Sequence, residues 1–100
     1  MKTNDIHYFD FRNLNNEEFK EKINDIEIGT VSIFDIEGTF ISIEIKQLLS
    51  AFLNNNSDSM HGLAFLGVGR GVRKLILKLI DFPLYIAEDR TDGEDWLLSL

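Results

Sequence analysis

"LGVGRGVRKLILKLI", residues Leu66 to Ile80, decides how this chain folds. An apolar run enters the stretch, and glycines stand at Gly67, Gly69 and Gly71. Val72, Leu75, Ile76 and Leu79 then recur at helical spacing, with Arg73, Lys74 and Lys78 opposite. The pattern is a strand that turns through glycine into an amphipathic helix. The same order of strand, turn and helix can be followed outward in both directions.

Upstream, "LAFLGVG" is an apolar strand, and "TVSIFDIEG" is another, closed by Gly38. Between them Ile41, Ile45, Leu48, Leu49 and Phe52 form a helical stripe, with Ser42 placed as its N-cap. "NNNSDSMHG" then breaks the chain. Nearest the start, "DIHYFDFR" is β-prone and ends at the turn-like Asn13-Leu14-Asn15-Asn16. Asn15 and Glu18 make a capping box before Phe19, Ile23 and Ile26, and Gly29 marks the following turn. Downstream, Pro83 stops the basic helix and leads into the strand "LYIAED". Thr91 and Glu94 read as a second capping box before Trp96, Leu97 and Leu100. The spacing predicts an α/β fold: one βαβαβαβα domain over residues 1–100. Its four-stranded sheet should be mostly parallel and covered by helices on both faces.

Composition narrows the function classes. The net charge of −7 disfavours a nucleic-acid surface, which needs concentrated Lys and Arg. With no cysteine, there is no disulfide framework, thiolate nucleophile or cysteine metal site. No window has the apolar length of a signal peptide or membrane span, so a cytoplasmic protein without a membrane partner is expected.

Two motifs invite a chemical reading. The glycine turn, followed by a helix and a strand ending at Glu88, has the outline of a dinucleotide site. However, Val72 stands where the fingerprint needs its third glycine, and no Gly-Lys-Ser/Thr makes it a phosphate loop of the Walker type. What remains is a candidate site for an anion, a small ligand or an acidic partner, comprising Gly67, Gly69, Arg70, Arg73 and Lys74. "FDIEGTF" resembles the aspartate-nucleophile motif of haloacid-dehalogenase-like phosphatases. That resemblance makes Asp35 the nucleophile and puts Glu37 in the acid/base position. Glu88 and Asp89 would bind magnesium, and Lys74 or Lys78 would supply the cation. Against it, Gly67-Val68-Gly69 lies where such enzymes carry Ser or Thr. His7 and His61 have no neighbours at ligand spacing, and no G-x-S-x-G occurs. No catalytic residue, metal or cofactor is therefore expected.

Taken in order, "VSIFDIEGTFISIEIKQLLSAF", "HGLAFLGVGRGVRKLILKLI" and "LYIAEDRTDGEDWLLSL" resemble the STAS-like proteins of the stage II sporulation AA-like group. Asp35 and Gly38, Gly67-Val68-Gly69, Glu88-Asp89 and Asp95-Trp96-Leu97 carry the resemblance. It implies a non-enzymatic regulatory module that binds a protein partner, as anti-sigma factor antagonists do. In those proteins a serine opening the second helix is phosphorylated, and Ser42 is the matching position. The surrounding "FISIEIKQ" departs from their pattern, and Glu44 would repel a phosphate. Ser42 is thus read first as an N-cap, with the phospho-switch as the alternative. The strand that usually precedes "IHYFDF" is missing or very short, which predicts an open sheet edge and a homodimer.

Overall fold

The computed structural model describes residues 5–27, 30–79 and 82–100. Its elements are β1 (His7–Asp10), α1 (Asn16–Asp25), β2 (Val31–Asp35), α2 (Ile43–Asn56), β3 (Gly62–Leu66), α3 (Arg73–Leu77), β4 (Leu84–Ile86) and α4 (Arg90–Leu98). The expected βαβαβαβα order is therefore present. The turn expected at Gly29 lies outside the described residues.

All strand pairs are parallel, and the strands lie side by side in chain order, β1-β2-β3-β4. The distribution of helices follows from that order. Right-handed crossovers that always step in the same direction leave their helices on the same face of the sheet. Phe19 and Ile23 of α1, Ile45, Leu49 and Leu53 of α2, and Ile76 of α3 accordingly share one core with Phe34, Leu63 and Phe65 of the strands. The last helix is not a crossover and is free to cover the other face. There Leu97 of α4 packs with Val31 and Ile33 of β2 and Ala64 of β3. The alternation is period two along β2, with Ile33 facing α4 and Phe34 facing the other helices. Both faces of the central strands are buried, which explains why β2 and β3 read as continuous apolar runs.

Caps set the helix starts. Asn15 and Glu18 form the reciprocal box before α1, and the Ser42 hydroxyl accepts from the Ile45 N–H at 3.1 Å. The box expected at Thr91 is corrected: α4 begins earlier, with Asp89 as N-cap accepting from the Asp92 N–H at 2.8 Å. Asp92 in turn accepts from the Glu88 N–H at 2.9 Å, so the two carboxylates serve donors on either side of the cap and fix the helix start at Asp89.

The basic helix also differs from expectation. Arg70–Val72 is a turn of 3₁₀ helix, and the α-helical part spans only Arg73–Leu77. No side chain caps either start, and the end tightens through a Lys78 N–H bond to the Leu75 carbonyl at 3.2 Å. The apolar spacing nevertheless places its residues as predicted: Ile76 and Leu79 are buried, and Val72 and Leu75 pack half-buried against them.

Candidate functional site

Three surface regions carry the residues with chemical potential. The first is the corner where α1 and α2 begin. Its backbone is laced by loop-to-loop bonds: the Asn13 N–H to the Glu37 carbonyl at 3.0 Å, and the Leu14 N–H to the Thr39 hydroxyl at 3.0 Å. Thr39 is buried and donates its own proton to the Phe11 carbonyl. Asn13 and Gly38 adopt positive φ to make these turns, at 55° and 76°. The Ser42 hydroxyl accepts from Ile45 and donates to the Asn16 Oδ1 at 2.8 Å, tying the two helix starts together. On this fixed frame Phe40 and Ile43 stand 81% and 77% exposed. Phe40 forms one wall of a groove of about 440 Å³ with Leu14, Asn16 and Glu17.

The second region is a cleft of about 260 Å³ at the carboxyl ends of β1 and β2, on the face that α4 covers. Parallel registration puts Tyr8 beside Ile33 and Asp10 beside Asp35. Ile33 and Leu66 line its floor. Arg12 grips Asp10 with two bonds, Nε at 2.9 Å and Nη2 at 3.1 Å. These bonds, reinforced by the Arg12 N–H, hold the Asp10 carboxyl down at about 2 and raise the Arg12 guanidinium in return. Arg12 also reaches toward Asp35, with Nε 3.9 Å from Oδ2. Asp35 is half-buried, and its Oδ1 accepts from the Glu37 N–H at 3.1 Å. On the other side, the Arg90 guanidinium lies 3.8 Å from the centre of the Tyr8 ring and 3.5 Å from Glu94. The Tyr8 hydroxyl donates to the same Glu94 carboxylate, so α4 is fastened to the sheet edge.

The third region is the glycine turn. Gly67 has φ of 71°, and a Cβ there would meet the Glu37 backbone. Gly69 and Gly71 face open space. Arg70, Arg73 and Lys74 are exposed, and none joins an ion pair among the described residues. The turn is thus an exposed basic strip that leads into a short helix of 5 residues, whose start no side chain caps.

The structure brings Asp35 together with Asp10 and Arg12. Asp89 is occupied as a helix cap, and Glu88 is exposed beside it. Among the described residues, no group of three or more His, Cys, Asp or Glu side chains is placed to hold a metal ion. Trp96 stacks on Tyr85 at 5.0 Å beneath α4. The Tyr85 phenol is raised by its hydrogen bond to Asp92, which favours the protonated form. Tyr8, Asp10, Arg12 and Arg90 are not singled out by sequence reasoning. The one local signal is Asp10-x-Arg12 at a strand end, because the remaining contacts join residues as far apart as Tyr8 and Glu94.

Fold and surfaces together define a parallel-sheet α/β domain with helices on both faces. Comparisons with known protein families, with curated proteins and with solved structures find no match. No helix among the described residues is long and apolar enough to cross a membrane.

Proposed function

We propose that this chain is a non-enzymatic, STAS-like protein-interaction module that docks its partner through the corner at Phe40, Ser42 and Ile43. The observation that carries this reading is the exposure of Phe40 and Ile43 on a backbone held by caps and loop-to-loop bonds. Leaving a large apolar side chain in water forgoes about 1.5–3 kcal/mol. Two such side chains, three residues apart and beside a groove, present that energy to a partner. Glu17 and Glu44 flank the pair, and the chain carries a net charge of −7. The complementary surface is therefore an apolar anchor rimmed by Lys and Arg. The ordered β/α units and the location of Ser42 at the start of α2 support the STAS-like assignment. In this reading Ser42 holds the docking frame: its hydroxyl is engaged both as acceptor and as donor.

Photo-crosslinking in the native cell tests the proposal. A benzophenone amino acid at position 40 or 43 should give the same discrete protein adduct, and the same probe at Lys74 should not. The adduct from position 40 should disappear when Ile43→Asp is added, while the fold is kept because the side chain is solvent-exposed. Equal adducts from all three positions, no adduct, or an adduct only with a second copy of the chain would overturn the reading.

A further inference from the structure

We propose that the cleft at the carboxyl ends of β1 and β2 binds a small primary ammonium ligand with an apolar body, held by Asp35 above Ile33 and Leu66. The site is independent of the Phe40–Ile43 corner, because the residues lining the cleft and those lining the groove do not overlap. The cleft lies where β1 and β2, paired in register, end side by side at Asp10 and Asp35.

The ligand class follows from how the charges are already used. Asp10 and Arg12 satisfy each other through two short bonds. Arg90 is paired with Glu94 and stacked on Tyr8. Asp35 is the carboxylate held least closely, sharing Arg12 with Asp10 only across 3.9 Å. Its side chain is 29% exposed, one oxygen takes a backbone N–H, and the other has only Arg12 at 3.9 Å. That separation is too long for a hydrogen bond. Asp35 Oδ2 thus retains acceptor capacity in a partly desolvated cleft, where a charge-assisted bond to an ammonium is stronger than in water. The cleft carries two charges of each sign, but both guanidinium groups already hold acidic partners, so an anionic ligand would have to displace Asp10 or Glu94 to bind them. The floor is aliphatic, so the ligand gains by burying carbon beside the bond to Asp35. A volume of about 260 Å³ lies below the usual range for drug-sized sites, which limits the occupant to a small amine.

The test is a heteronuclear NMR titration of the full chain with phenethylammonium, alongside phenylethanol and phenylacetate at matched ionic strength. Phenethylammonium should produce saturable shifts at the Ile33 and Leu66 methyls, and the neutral and anionic analogues should bind at least about tenfold more weakly. Asp35→Asn should weaken amine binding by about tenfold or more. That variant keeps the side-chain oxygen that accepts from Glu37, and the same spectra report whether its fold is intact. Asp58→Asn, on the exposed turn after α2, should leave the affinity unchanged. Equal binding of phenylethanol or phenylacetate, saturable shifts elsewhere, unaltered affinity in folded Asp35→Asn, or no saturable shift would each overturn the proposal.

Discussion

Replacing Gly67 by alanine separates a required glycine from its two neighbours. At Gly67 the backbone φ is 71°, a left-handed conformation that costs an alanine about 1–2 kcal/mol. The new Cβ would also lie 2.5 Å from the Glu37 Cβ and 2.6 Å from its Cα and backbone nitrogen. Glu37 cannot retreat freely. Its N–H donates to Asp35 at 3.1 Å, and its carbonyl accepts from the Asn13 N–H at 3.0 Å. Weakening those two bonds adds about 1–2 kcal/mol. Lower entropy of the unfolded alanine chain returns about 0.4–1 kcal/mol. The net loss is about 1–3.5 kcal/mol, which for a domain of this size lowers Tm by roughly 5–30 °C. Gly69 has φ of −65°, and a methyl group added there would meet no atom within 4 Å. Gly69→Ala should therefore be neutral or stabilising by up to about 1 kcal/mol. Urea unfolding followed by fluorescence of Trp96, the single tryptophan, measures both variants. If the two stabilities agree within about 0.5 kcal/mol, the reasoning from backbone conformation is refuted.

The Asp10–Arg12 pair makes a pH prediction. The folded carboxyl sits at about 2 against an ordinary 3.8, so its contribution is fully present above 3.8 and is lost as pH falls toward 2. Both side chains are largely solvent-exposed, so the contribution should not exceed about 1 kcal/mol. Arg12→Gln should return the Asp10 carboxyl toward 3.8, read by carbon NMR of the carboxyl group, and an unmoved titration would disprove the pairing in solution. Ser32 is buried, and its hydroxyl has no hydrogen-bond partner among the described residues. Ser32→Ala should therefore stabilise the protein by about 0.5–1 kcal/mol, measured by the same urea titration. A loss of more than about 1 kcal/mol would show that the hydroxyl is bonded.

Local physics makes the element order legible in the one-dimensional pattern. Period-two and helical spacings locate the strands and helices, and the capping chemistry of Asn15 and Ser42 locates two helix starts. Where a competing cap lies nearby, the pattern misleads, because Asp89 caps α4 by accepting from the Asp92 N–H before Thr91 is reached. Spacing also overstates the length of the basic helix, since it records which side chains face the core, not whether the backbone closes α-helical bonds. Strand order is beyond local pattern altogether. Any order of four parallel strands is compatible with the same alternating string. Only the packing of Phe34 and Phe65 against one helical layer, and of Ile33 and Ala64 against α4, selects β1-β2-β3-β4. The cleft inherits that dependence. Asp10 and Asp35 are neighbours because β1 and β2 pair in register, and Tyr8 meets Arg90 because α4 crosses to the opposite face. Such contacts join residues distant in sequence, so no local periodicity encodes them, and they exist only once the sheet has assembled.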